Sequence, residues 1–264
     1  MIKNIVIIGA GNLATQLALV LTEKGIPVKQ IFSRDLDSAR ELAEKTGAAF
    51  TNNLSQLLPE VDLYLIAVKD SAIQEVLENL SLDENRMIVH TAGSVPMNIL
   101  DGFSGNYGVF YPLQTFSKNR KIDFSDIPIC IEANHPARLM ELQELGEKLS
   151  GSVHQINSDD RKILHLAALF ANNFVNHFYS IGERLLQDKK LNFDLLKPLI
   201  RETAEKIESL PPSDAQTGPA KRNDQTIINT HLKMLHDQPE LQKIYRLMSE
   251  SIFQFHQNQK HDLL

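Results

Sequence analysis

Gly9-Ala10-Gly11-Asn12-Leu13-Ala14 has the spacing G-x-G-x-x-A. It follows directly on an apolar run, KNIVIIG, and opens a stretch in which Leu13, Leu17 and Leu21 recur at helical spacing. A strand leading through this turn into a helix is the context in which the spacing has chemical meaning. Gly9 permits a tight turn, Gly11 lets backbone approach a pyrophosphate, and Ala14 keeps the helix close to the sheet. The helix N-terminus then offers free N–H groups and a positive dipole end to phosphate. The alternative is a glycine turn in an α/β protein that holds no cofactor.

The second apolar run, VKQIFS, ends in Ser33-Arg34-Asp35. A dinucleotide without a 2′-phosphate ordinarily meets an acid at this strand end, which accepts from the ribose hydroxyls. Here a hydroxyl and a guanidinium stand at that place, and a planar guanidinium suits a phosphate. The residues therefore point to NADP ahead of NAD. Asp35 is the competing feature: it selects NAD if it faces the ribose, or caps the following helix.

Further along, His165, Asn172 and Asn176 stand seven and four residues apart, which places them on one face of an α-helix. The residues around them are apolar almost all round, which predicts a buried helix. Buried imidazole and amide groups need partners. Those partners are either a substrate or cofactor amide, with His165 able to move a proton, or backbone groups and water. Arg222 and Asp224 follow Thr217-Gly218-Pro219. Thr217 is a candidate cap for a helix opening at Pro219, with Arg222 one turn in and able to hold an anion, or else paired with Asp224 on the surface. In YPLQTF, Tyr111 and Gln114 are placed to reach a cleft from a strand end, and Pro112 marks a turn. No histidine or acid spacing suggests a metal, and neither G-x-S-x-G nor a Walker-type G-K-[ST] occurs.

The elements that must position these residues alternate through the first half. Apolar runs at 3–9, 28–33, 63–68, 86–93, 107–111, 127–133 and 152–157 read as strands, several of them separated by amphipathic helices. This predicts an α/β fold with an N-terminal Rossmann-type, doubly wound parallel sheet over 1–156. From Asp160 onward the pattern is helical, near 160–187, 193–209, 219–236 and 239–257, and predicts an all-α C-terminal domain over 157–264. Apolar stripes such as Leu195/Leu199 and Ile244/Leu247/Ser251/Phe255 predict a homodimer formed largely through the helical domain.

The chain has 264 residues and 42% hydrophobic residues, enough for a proper core. With 27 basic and 33 acidic side chains its charge is −6, which argues against a nucleic-acid partner held by a general basic surface. The single cysteine, Cys130, excludes an intramolecular disulfide, and no apolar run approaches the roughly 18 residues of a membrane span. The expectation is a soluble, cytoplasmic protein with a small-molecule substrate and no membrane partner.

In its GAGNLA turn, its strand-end SR pair, its LIAVKDSAI segment and its helical second half, the chain resembles the 6-phosphogluconate dehydrogenase-like superfamily, which includes pyrroline-5-carboxylate reductase. HTAGS, YPLQTF, HLAALFANN and TGPAKRND look like marks of a little-characterised branch of Rossmann-like NADP oxidoreductase homologues with its own helical C-terminal domain. The resemblance implies that Ala67, Val68 and Lys69 line the cofactor's ribose and nicotinamide side. It implies that Thr91, Gly93 and Ser94 border the substrate, which sits between the domains. Gln114, Asn176 and Arg222 join the candidate substrate residues, and His165 and Asn172 the candidate catalytic ones. The hydroxyacid dehydrogenases of the superfamily carry a lysine three residues before an Asn-Asn pair; here the pair is Asn172-Asn173 and Leu169 takes the lysine's place. Two functions follow. One is NADP-dependent hydride transfer to or from a small carbonyl or imine, with a reduced deazaflavin as a further partner that related folds use. The other is non-catalytic binding or sensing of the dinucleotide.

Overall fold

The computed structural model describes residues 1–261. Its first strand, β1 (Ile5–Ile8), is buried at all four positions, as a parallel strand covered on both faces must be. Helix α1 (Asn12–Glu23) lays Ala14, Leu17 and Leu21 into the core. Next come β2 (Val28–Phe32) and α2 (Leu36–Thr46). Asp35 caps α2 by accepting the Ser38 N–H, and Gly47 ends it in the left-handed region. A short edge strand follows, β3 (Ala49–Thr51), then β4 (Leu63–Ile66), α3 (Ile73–Glu78), β5 (Met87–His90) and β6 (Asn106–Pro112). The sheet is completed by β7 (Ile129–Ala133), α4 (Pro136–Leu149) and β8 (Val153–Gln155).

The eight strands lie in the order β3-β2-β1-β4-β5-β6-β7-β8. The order reverses between β1 and β4, and this is the crevice in which doubly wound sheets bind ligands. Apolar layers cover both faces of the sheet, one centred on Ile5, Ile7, Leu17 and Phe110, the other on Val6, Ile8, Tyr64 and Ile66. Three features depart from the sequence reading, the first being that β6 runs on through Pro112, paired with Ile129, where a turn is expected. The three-residue β3 adds an edge, and β7 runs antiparallel to β6 (Phe110 opposite Ile131), so the sheet is only mostly parallel. Between these two strands the chain returns to the same end of the sheet through 113–128 without a crossover helix, and a return of that kind forces antiparallel pairing.

One helix then continues from α5 (Ser158–Ala168), through a π-helical turn (Leu169–Phe174), into α6 (Val175–Gln187). Contacts divide the chain into two compact units, Met1–Asn176 and the part from His177 onward. Within the second unit lie α7 (Lys197–Ser209), α8 (Pro212–Ala215), α9 (Gln225–Met234) and α10 (Pro239–His261). Helices α9 and α10 pack together, with His231 Nδ1 2.7 Å from the Tyr245 hydroxyl and Gln242 Nε2 donating to the Leu232 carbonyl at 2.6 Å. Among the described residues no strand follows β8, and no helix is long and apolar enough to cross a membrane.

Candidate active site

Gly9 leaves β1 at φ +132°, a conformation that L side chains rarely adopt. A Cβ there would lie 2.2 Å from the Ala67 carbonyl oxygen at the end of β4, so the glycine is required twice over. Gly11 has nothing within 4 Å of its missing Cβ; its lack of a side chain keeps the approach to the turn open. It is the N-cap of α1 and brings no side-chain acceptor, so the first N–H groups of the helix remain available to a ligand. Ala14 is fully buried under the turn, as the close helix–sheet approach requires.

A cavity of about 910 Å³ runs from this turn across the crevice. Its walls include Gly9, Ala10, Gly11, Asn12 and Leu13 on one side, Ser33, Arg34 and Asp35 at the end of β2, and Ala67, Val68 and Lys69 at the end of β4. The Asp35 carboxylate accepts from both the Ser38 N–H and the Ser38 hydroxyl, and these bonds hold its pKa below the ordinary aspartate value. Its place is the helix cap. Arg34 remains exposed, with a 3.4 Å ion pair to Glu75. Uncapped N–H groups, a turn closed to any side chain and a guanidinium beside a hydroxyl together fit a dinucleotide with a 2′-phosphate.

The carboxyl ends of β4, β5 and β6 carry a second polar cluster next to this cavity, for Asp70 follows cavity-lining Lys69 directly. Thr91 is buried, its hydroxyl donating to the Ile66 carbonyl at 3.2 Å, which ties β5 to β4. The exposed Ser94 donates its hydroxyl to Asp70. Gly93, between them, is packed against two rings. A Cβ at this position would stand 2.6 Å from His165 Nδ1 and 2.8 Å from Tyr111 Cζ. The Tyr111 hydroxyl and His165 Nδ1 are 3.1 Å apart, and the rings meet edge to face. Burial above all pushes the Tyr111 phenol up to about 12. His165, one of the candidate catalytic residues, thus joins the cluster of Gly93 and Ser94, through a tyrosine whose partner the sequence did not reveal.

Beneath this cluster lies a buried arginine. Arg161, 0% exposed, pairs with Glu132 on β7 at 2.5 Å and donates to the Val95 carbonyl at 2.8 Å and the Ser158 hydroxyl at 3.2 Å. The Ser158 hydroxyl in turn bonds the Glu132 carboxylate and receives the Met97 N–H. Arg161 lies one helical turn before His165, so this network fixes how α5 sits on the loop after β5. His90, also fully buried, accepts the Ala92 N–H on Nδ1, and among the described residues its Nε2 has no hydrogen-bond partner of good geometry. Burial first, and the Arg161 charge second, push its imidazole down to about 4, outweighing the opposite pull of the Pro96 carbonyl.

The other candidates lie elsewhere. Asn172 is inside the π-helical turn and Asn176 beyond it, so the spacing that would align both with His165 in a continuous α-helix is broken by wider winding. Both are exposed in the single chain, as are Ile163, Leu166, Phe170 and Phe174 around them. The expectation of a helix buried all round is not met in one chain. Gln114 is exposed, and its side-chain carbonyl accepts the Thr115 N–H. In the second unit, Asp224 rather than Thr217 caps a helix, accepting the Ile227 N–H. The helix therefore opens at Gln225, and Arg222 stands exposed in the preceding turn. Glu132 and Arg161 were missed, since charged residues in short polar stretches look like surface in a sequence.

Two family models match the chain: one described as "NADP oxidoreductase coenzyme F420-dependent" over residues 4–93, the other a domain of unknown function, DUF2520, over 127–252. A Bacteroides fragilis protein, provisionally described as an NADP oxidoreductase, has a crystal structure with a TM-score of 0.90. It is 46% identical, over 96% of this chain and 98% of that one. An imine reductase of Myxococcus stipitatus, solved in complex with NADP+, shares the fold at a TM-score of 0.66 and 13% identity, over 97% of this chain and 93% of that one. L-aspartate dehydrogenase of Methanocaldococcus jannaschii is 29% identical over 86 residues; the match spans 32% of this chain and about a third (32%) of that curated relative.

Proposed function

The chain belongs to the NADP oxidoreductase family of its Bacteroides fragilis relative, and on that premise we propose that it transfers a hydride between NADP(H) and a small carbonyl or imine substrate. The observation that carries this reading is the turn at Gly9, closed to every side chain by the Ala67 carbonyl, at the head of a cavity that ends on Ser33 and Arg34. The N–H groups at the start of α1 would hold the pyrophosphate, and Ser33 with Arg34 the 2′-phosphate. Ala67, Val68 and Lys69 would face the nicotinamide side. When bound, the cofactor supplies or takes up the hydride. The protein's part is to orient the substrate against Gly93 and Ser94, exclude water, and manage the proton that a carbonyl oxygen or imine nitrogen gains or loses.

The domain division near 157, with the substrate bound beside the helix that follows, belongs to the same reading. So do cytoplasmic location and a homodimer. The dimer is supported by the apolar side chains that a single chain leaves in water, Leu166, Phe170 and Phe174 around the π-helical turn and Leu195, Leu199, Leu247 and Phe255 in the second unit. A mass of two chains in light scattering at micromolar concentration is the expected outcome.

Leu169, in the place where hydroxyacid dehydrogenases carry a lysine, favours the competing reading of a non-catalytic dinucleotide sensor. Calorimetry with NADPH and NADH, followed by NADPH consumption against a panel of ketones and cyclic imines, separates the two. Binding with no turnover across the panel would leave the sensor as the better account.

A further inference from the structure

We infer that the Tyr111 hydroxyl is the group that protonates the reacting oxygen or nitrogen, and that His165 positions it and returns the proton; this rests on the hydride-transfer reading above. The pair stands at the carboxyl ends of β5 and β6, beside the cavity, where a doubly wound sheet does its chemistry. Its geometry is constrained from three sides. Glycine is the one residue that fits at position 93, because both rings occupy the space of its Cβ. Arg161, locked to Glu132 and the Val95 carbonyl, fixes the helix turn that presents His165. Tyr111 itself sits on the last residues of β6, paired with Cys130 of β7. The same network ties α5 to β7 and to the loop after β5, so the place of His165 is set by bonds outside the pair itself.

The chemistry balances without a lysine. A carbonyl carbon that accepts a hydride leaves its former π electron pair on oxygen. The Tyr111 O–H bond breaks to give that oxygen its proton, and the resulting phenolate recovers a proton through the His165 ring, whose Nδ1 stands 3.1 Å away. The half-buried imidazole then regains a proton from solvent. Burial that keeps the phenol protonated suits a donor that must hold its proton until negative charge develops beside it. The groups facing the pair are Asp70 with Ser94 from the β4 and β5 ends, Cys130 from β7, and Arg161 from α5, whose charge is matched by Glu132.

The test uses two probes that differ in their need for a proton. Cyclohexanone must gain one at oxygen. The 1-methyl-1-pyrrolinium ion becomes a neutral amine on hydride addition alone. Tyr111→Phe is expected to slow cyclohexanone reduction by about 100-fold or more while pyrrolinium reduction stays within about threefold. NADPH affinity by fluorescence titration and the melting temperature should match the wild type. His165→Gln is the second variant, in case the first is poorly folded, and should show the same selectivity between probes. Equal effects on both probes, or none on either, would overturn the assignment. So would a wild-type protein that reduces the pyrrolinium ion but not the ketone. A wild type that binds NADPH and reduces neither probe removes the hydride-transfer reading, and this inference with it.

Discussion

Replacing Arg34 with alanine should separate the two nicotinamide cofactors. In the free protein the guanidinium pairs with Glu75 at 3.4 Å, with the two side chains 71% and 61% exposed. Exposed pairs of this kind contribute between nothing and about 1 kcal/mol, so recruiting Arg34 to a 2′-phosphate costs little, and deleting it leaves the fold intact. A charge-assisted hydrogen bond contributes about 1.5–3 kcal/mol, which converts to a roughly 10- to 150-fold weaker NADPH complex. NADH, lacking the phosphate, should change by less than about threefold. Glu75→Gln acts in the opposite sense, because it removes a negative charge from the cavity wall. It should tighten NADPH by up to about fivefold, the equivalent of about 1 kcal/mol. Calorimetry with both cofactors at one fixed ionic strength gives the numbers, since exposed charges are screened by salt. Equal losses for NADPH and NADH in the alanine variant would refute the assignment of Arg34 to the 2′-phosphate.

Two further outcomes concern the buried charges. Arg161→Met leaves Glu132 without its partner in a site where Arg161 is fully buried, and should cost about 3–5 kcal/mol in urea denaturation; adding Glu132→Gln should recover part of that, and a double variant no better than the single would count against the pairing. His90 is held down to about 4 in the folded chain against an ordinary 6.5, so the unfolded chain binds more protons between those values. Stability should therefore fall as pH drops from 6.5 towards 4, by about 3 kcal/mol in all, and level off below. His90→Asn, which keeps an acceptor for the Ala92 N–H, should flatten that part of the profile; an unchanged slope would place the proton elsewhere.

What was legible in the sequence was local. The Gly9–Ala14 turn, the strands that fill both sides of the sheet, and the Asp35 cap each follow from a few neighbouring residues with strong conformational or hydrogen-bonding preferences. The edge strand Ala49–Thr51 was not, because three residues, two of them exposed, carry no periodicity. Neither was the antiparallel β7, whose direction depends on the path of 113–128 and not on its own apolar pattern. The Tyr111–His165 contact joins positions 54 apart, and Arg161 meets Glu132 across 29. No spacing rule reaches that far. The polar face of His165, Asn172 and Asn176 was read with α-helical arithmetic that the actual winding does not obey.

That winding bears on how the helix came to have its present numbering. A π-helical turn holds one residue more than the hydrogen-bonding frame of an α-helix accommodates, and so behaves as an insertion absorbed in place. Removing one residue from Leu169–Phe174 would let the i→i+4 ladder run unbroken from Ser158, a gain for the helix taken alone. It would also turn Val175 and Asn176, the last residues of the first unit, by about 100° about the helix axis, one residue's share of an α-helical turn, relative to His165 and the buried Arg161. The extra residue thus sets the helix's phase. Asn176 therefore takes its bearing from the wider turn and not from α-helical spacing counted from His165.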